Sequence, residues 1–492
     1  MNTTLDIDVT AGFEMVVGLE VHVQLKTRTK AFCGCSTNFG APPNQNTCPV
    51  CLALPGALPV LNARAVELAL RVALGFEFQV NPRSVFARKN YFYPDLPKGY
   101  QISQHDKPIA EHGRLDIGLM VDGTSRVIGI TRAHMEEDAG KSVHDRYEGA
   151  TAVDLNRSGV PLVEIVSEPD MRSAEEAGSY LRTLKQILLF LDVSDCNMEE
   201  GSLRVDANVS ARPFGQTTLG TKCEVKNMNS FSGVEKALAA EFRRQCGVLG
   251  AGGSVQQQTL LWDGAKGEIR PARSKEGSSD YRYFPEPDLP PLVITDTELA
   301  RVRETLPELP VARRARYAAM KLSDYDVQEL TADPETGPYF EELAAKVGDA
   351  KLAANWVLGE LRATKNESGI LWGEFPIQPG SIADLIDLQK KGMLSSTAAT
   401  QLYKKVVKEA RDSAIVDFLH RAETEGLLQV RDDNALAGWV DEVLAENPTE
   451  AARYAAGEKK LVGLLVGLVM KKSQGRADPK LVNQLLSSRA AG

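Results

Sequence analysis

Residues 18–25 read GLEVHVQL, and within them Glu20, His22 and Gln24 alternate with Leu19, Val21, Val23 and Leu25. A period of two marks a strand. Successive side chains leave on opposite faces, so the apolar set faces a core while Glu20, His22 and Gln24 share the other face. The pattern recurs downstream. In RAHMEEDAGKS (132–142) the acids Glu136, Glu137 and Asp138 are consecutive, and in GVPLVEIVSEPD (159–170) Glu164 interrupts an apolar strand. In GSLRVDANVSAR (201–212) Arg204, Asp206 and Asn208 alternate with Leu203, Val205 and Val209, and in TKCEVKNMNSF (221–231) Lys222, Glu224 and Lys226 do the same. One such strand reads as a solvated sheet face. Their repetition points to a sheet whose polar face is a site. Carboxylates are the natural ligands of Mg²⁺, which takes its remaining oxygens from water and phosphates. Phosphoryl transfer asks for little beyond positioning and neutralised charge, so Arg204, Lys222, Lys226 and Arg282 are candidates to stabilise a transferred phosphoryl group.

A second constellation lies between the first two strand-like runs. Cys33, Cys35, Cys48 and Cys51 form C-x-C followed by C-x-x-C, with Gly34, Gly40, Pro42, Pro43 and Pro49 supplying tight turns. Zinc prefers four thiolates in a tetrahedron, and each pair supplies one edge. Such a closed site is structural rather than catalytic, the other reading being four free thiols. Cys196, Cys223 and Cys246 stand alone. Gly140-Lys141-Ser142 ends like a phosphate loop, but Met135 occupies the position of the upstream glycine. Any use of ATP therefore follows another design.

The chain's 492 residues, 43% hydrophobic and 25% charged, predict a large folded core. The N-terminus MNTTLDIDVT lacks a signal pattern, and the longest strongly apolar run, 461–469, is about half of what a bilayer needs. A cytoplasmic location is the expectation. Up to about residue 300 strands and helices mix. A helix is predicted from Asn62 to Gly75, and another from Ser173 with a capping box to Glu176 and an apolar stripe of Leu181, Leu184, Ile187, Leu188 and Leu191. The stretch YFPEPDLPP (283–291) is too proline-rich for regular structure. Beyond 295 the composition turns helical, with helices predicted over 311–321, 351–364, 382–392 and 397–412, and a last one after Asp478-Pro479. The net charge is −9, yet residues 459–492 carry Lys459, Lys460, Lys471, Lys472, Arg476, Lys480 and Arg489 against the single acid Asp478. That local excess suggests contact with nucleic acid.

The segments GLEVHVQLKT, FCGCSTNFG, CPVCLALPGALPVLN, KNYFYPDLPKGYQISQ, HMEEDAGKS, DLNRSGVPLVEIVSEPD, GSLRVDANVSARP, CEVKNMNSF and DYRYFPEPDLPPL resemble the GatB/GatE family, the B subunits of tRNA-dependent amidotransferases, over essentially the whole chain. The resemblance implies an α+β fold: a mixed-sheet cradle related to glutamine synthetase over 1–300, with a zinc-binding segment at 33–51. An all-α helical domain (301–412) and a small α-helical YqeY-like tail (413–492) follow. It implies ATP-dependent phosphorylation of the side-chain carboxylate of Glu on tRNA(Gln) or Asp on tRNA(Asn). Ammonia from the amidase GatA, which the small protein GatC holds in the complex, then displaces the phosphate. Position by position it implies Mg²⁺ ligands at Glu20, His22, Glu137 or its neighbour Glu136, and Glu164, with further catalytic acids Asp206 and Glu224. It also implies an ammonia route past Lys89 and Lys98, and a structural Zn²⁺ dispensable to the chemistry, because some relatives lack the cysteines. Two readings from other classes compete. A non-catalytic RNA-binding adaptor has no use for the repeated strand acids, and a free-standing carboxylate–amine ligase has none for the basic tail.

Overall fold

The computed structural model describes residues 9–120, 123–272, 281–409, 415–430, 433–473 and 475–491. The chain divides into two compact units, Met1–Pro310 and Val311–Gly492.

The octet GLEVHVQL lies in and just beyond a strand, Phe13–Gln24, inside a twelve-stranded sheet. Its Val17, Leu19, Val21 and Val23 are fully buried, each such side chain contributing roughly 1.5–3 kcal/mol by leaving water. On one side the strand pairs antiparallel with Pro161–Ser167, which pairs in turn with Ser125–Glu137. On the other it pairs antiparallel with Leu203–Pro213, followed by Cys223–Lys226. Every predicted acid-bearing segment is thus in one sheet. The apolar face is covered by the helices Ala63–Gly75, Ala174–Phe190 and Phe231–Gly250.

The Asn62 side chain caps the first helix, accepting from the N–H groups of Arg64 and Ala65. Gly75 ends it and admits Leu191, whose Cδ1 would lie 2.6 Å from a Cβ placed there. At the second helix Ser173 accepts from the Glu176 N–H, but the reciprocal half of the expected capping box is absent. The Glu176 carboxylate instead accepts from the N–H of Arg172 and pairs with Arg126. The stripe from Leu181 to Leu191 packs in the core as predicted. The proline-rich stretch is more ordered than expected, because Phe284–Pro285 pairs with Ala87 and Arg88.

The second unit is helical. Its predicted helices appear as Pro310–Ala319, Pro379–Lys390 and Ser396–Glu409, the last ending where the description stops. The one predicted over 351–364 is interrupted. Ala350–Trp356 passes through a wide turn, Val357–Leu361, before Arg362–Ser368, because Gly359 is non-helical (φ −94°, ψ −107°). Two apolar clusters form, one between Tyr317 and Ala422 and one between Leu436 and Leu486. The expected boundary at 412/413 lies outside the described residues. Among the described residues no helix is long and apolar enough to cross a membrane.

Candidate active site on the polar sheet face

Strand register brings the site together. His22 stands opposite Glu164 on one side and Arg204 on the other, and Glu164 stands opposite His134. One row therefore crosses four strands as His134, Glu164, His22, Arg204. In the next row on that face Glu20 stands opposite Asp206, and in the row after it Asn208 stands between Gly18 and Glu224. His22 Nδ1 is 3.2 Å from Glu136 Oε1 and 3.7 Å from Glu164 Oε2, and its Nε2 is 3.9 Å from Asp206 Oδ2. His22, Glu136 and Glu164 each offer a ligand atom, and these atoms lie within 4.8 Å of one another. One imidazole nitrogen and two carboxylate oxygens make a donor set fit for a hard or borderline divalent cation.

Charge balance is tight. Burial works against the imidazolium of His22, but the hydrogen bond to Glu136 and the charges of Glu164 and Glu136 hold its pKa up at about 9. Burial likewise works against the Glu164 carboxylate, yet the hydrogen bond of His134 and the charges of His22 and Lys89 keep it well below the usual carboxylate range. Glu20 goes the other way. Burial, then the charges of Glu164 and Glu224, raise its pKa, and Asn208 donates to it at 3.0 Å. Lys226 spans Asp206 (2.5 Å) and Glu224 (3.0 Å), and Arg204 pairs with Asp138 at 3.0 Å, while Gln24 donates to the same Asp138 at 2.9 Å. Lys89 lies over the ring of Tyr281, 4.9 Å from its centroid. Burial disfavours its ammonium, but the charge of Glu136 raises its pKa on balance.

The expected metal set needs one correction. Adjacent strand residues face opposite ways, so Glu136 joins His22 and Glu137 does not. The Glu137 carboxylate accepts from the N–H of Ile102 and is paired with Lys98, and both groups line a cavity of about 190 Å³ with Lys30, Cys33, Cys51 and Tyr100. Glu20 borders the cluster through Asn208 and is not one of the three close ligand atoms. Of the two lysines implied for an ammonia route, Lys89 is on the polar face and Lys98 beside this cavity. Lys222 is exposed just ahead of its strand, and Arg282, also exposed, adopts φ +43° with its carbonyl held by Asn90 Nδ2 at 2.8 Å. His134 was missed in the sequence, and Asp138 was named there as one of three consecutive acids but given no role. His134 and Asp138 lie two residues to either side of Glu136, so the period of two was a signal for both.

Cys33, Cys35, Cys48 and Cys51 do converge, all four sulfurs lying within 4.8 Å of one another and Cys48 and Cys51 3.9 Å apart. Zinc–thiolate bonds of about 2.3 Å arranged tetrahedrally require sulfurs about 3.8 Å apart, so the donors fit that ion. The Cys51 thiol is pulled down to about 4 by the hydrogen bond from Cys33, helped by the N–H of Cys48 and the charge of Lys30. Lys30 is itself buried and ties the knuckle to the sheet side by donating to the carbonyls of Asn46 and Leu155.

A family model described as the GatB/GatE catalytic domain matches residues 15–300, and one described as a GatB domain, of YqeY type, matches 338–489. Proteins named as the B subunit of aspartyl/glutamyl-tRNA(Asn/Gln) amidotransferase are similar throughout. That of Syntrophotalea carbinolica is 50% identical across 98% of this chain and 100% of its own length. That of Solidesulfovibrio magneticus is 51% identical across 97% and 99%. That of Geobacter sulfurreducens is 51% identical across 98% and 100%.

Proposed function

The chain belongs to the GatB/GatE family, and from that premise we propose that it is the kinase and transamidase component of a cytoplasmic tRNA-dependent amidotransferase. It acts with the amidase GatA and the small protein GatC on Glu-tRNA(Gln), Asp-tRNA(Asn) or both. The observation that carries this reading is the row of His22, Glu164 and Arg204 across one sheet face with Glu136, Asp206, Glu224 and Lys226 around it.

Two chemical steps follow. A side-chain carboxylate oxygen of the esterified amino acid attacks the γ-phosphorus of ATP, forming a P–O bond as the bond to the ADP oxygen breaks. Ammonia then attacks the acyl carbon, inorganic phosphate leaves, and the nitrogen sheds a proton. Arg204, Lys226 and Lys89 supply fixed positive charge beside the developing negative charge of the phosphoryl group. Glu20, whose pKa is raised by burial, is the carboxylate best suited to accept the ammonia proton. His22, Glu136 and Glu164 would hold a Mg²⁺ ion, whose chemistry is to neutralise phosphate charge. The four cysteines would hold a structural Zn²⁺. Lys98, paired with Glu137 beside the cavity, and Lys89 on the polar face are assigned to the ammonia route. Residues 1–300 form the cradle, 301–412 the helical domain and 413–492 the tRNA-binding tail.

The test is a single turnover of the heterotrimeric complex with labelled ATP and mischarged tRNA. The expected outcome is one ADP per active site, dependent on the mischarged tRNA, and amide on adding ammonium. Tight tRNA binding without ADP would establish the adaptor instead, and ADP formed with free glutamate the free-standing ligase.

A further inference from the structure

His134 is almost fully buried on the strand Ser125–Glu137, two residues before Glu136 and on the same face. Its Nε2 is 3.3 Å from Glu164 Oε2, and its Nδ1 is 3.4 Å from Arg132 Nε. The guanidinium has only hydrogens to offer, so Nδ1 is the accepting nitrogen and Nε2 carries the hydrogen that Glu164 receives. The Glu164 carboxylate is thereby gripped at one oxygen from the side away from His22, which approaches the same Oε2 no closer than 3.7 Å. Nothing in the two chemical steps requires His134 to touch substrate. A buried imidazole in a sheet face, with both nitrogens engaged, is costly to keep unless its partners matter.

We propose that His134 is a positioning residue, which orients the Glu164 carboxylate toward the cation held with His22 and Glu136, and that Arg132 fixes the tautomer that does so. Groups that orient metal ligands typically carry about 10–100-fold in metal affinity. The proposal rests on the reading of His22, Glu136 and Glu164 as a cation site, so its test separates the two. Mn²⁺ is the probe, since it accepts nitrogen and oxygen donors and is read by electron paramagnetic resonance without any turnover.

Four full-length proteins are compared: wild type, His22→Ala, His134→Leu, which fills similar space without a donor, and His134→Gln, which restores an N–H near the Nε2 position. Circular dichroism and melting curves establish that each is folded. The expected result is that His22→Ala loses the bound Mn²⁺, and that His134→Leu raises its Kd about tenfold or more. His134→Gln should recover most of the affinity. If His22→Ala loses Mn²⁺ while His134→Leu binds as wild type, the positioning role is overturned and the cation site stands. If His22→Ala binds Mn²⁺ as wild type, both fall. A role in packing alone predicts that both His134 variants melt lower with Kd unchanged, which also overturns the proposal. Should His134→Leu fail to fold, Arg132→Met, which frees the tautomer and leaves the imidazole in place, carries the test. It should weaken Mn²⁺ binding severalfold, and an unchanged Kd overturns the proposal.

Discussion

His22 stands among three carboxylates, and a cation and a proton compete for it. In the metal-free chain its pKa of about 9 lies above the ordinary value of 6.5. The protonated ring therefore stabilises the fold fully below pH 6.5, and that contribution is lost as the pH rises through about 9. A divalent ion entering the site must displace this proton, so its apparent affinity should climb about tenfold per pH unit between roughly pH 7 and 9 and flatten above. Mn²⁺ titrations at three pH values read this directly, and an affinity that does not vary from about pH 7 to 9 would remove His22 from the ligand set. His22→Ala should abolish ADP formation in the single turnover while sparing assembly, because its neighbours Val21 and Val23 carry the buried face of the strand. Partial rescue by Mn²⁺ is expected. A protein that melts early and loses every activity together would mark His22 as a sheet brace instead.

At the scale of elements, the knuckle 33–51 can be separated from the strands that hold the polar site. Its sulfurs are placed by turns, and Lys30 and Asn62 fasten it by hydrogen bonds, Asn62 Nδ2 reaching the carbonyls of Thr29 and Lys30. Protein purified without chelator should hold about one zinc per chain, and Cys48→Ser should lose it. The melting temperature should fall by a few degrees while tRNA-dependent ADP formation stays within about twofold, as for a closed structural ion with no open position to offer a substrate. Metal analysis and the single turnover decide between this and a catalytic zinc. This site was legible because its ligands are close in sequence and their spacing is the geometry. The polar site was only half legible. A period of two told which of Glu20, His22 and Gln24 share a face, but whether Glu136 or Glu137 joins them depends on the register Leu162–Glu136 and Pro161–Glu137 between distant strands. No local pattern carries that register. The break at Gly359 was equally invisible, since an isolated glycine inside a helical pattern is usually tolerated.

On the scale of the whole molecule, a chain of net charge −9 is proposed to hold an RNA, and the tail's basic excess is where that becomes testable. The structure divides its seven basic residues into two groups. Lys472 pairs with Glu442 and Glu446, Arg489 with Asp441, and Arg476 lies 5.9 Å from the centroid of the Trp439 ring, so these three are engaged across the helices Asp433–Glu446, Val462–Lys472 and Pro479–Ala491, which share an apolar cluster from Leu436 to Leu486. Lys459, Lys460, Lys471 and Lys480 are exposed. The last tyrosine is Tyr454, and no Trp or Phe follows it, so stacking on unpaired bases has no aromatic partner in this segment. Contact with phosphates is what remains. Each phosphate contact contributes about 0.7 to 0.9 to the slope of log affinity against log salt, so replacing the four exposed lysines with alanine should lower the slope by about three. Affinity for tRNA should fall at low salt, alike for cognate and non-cognate anticodons, and tRNA-independent glutaminase activity of the complex should be unaffected. Lys472→Ala and Arg489→Ala should instead lower the melting temperature with the slope unchanged. Filter binding across a salt series separates the two groups, and an unchanged slope in the fourfold variant would take RNA recognition away from the tail.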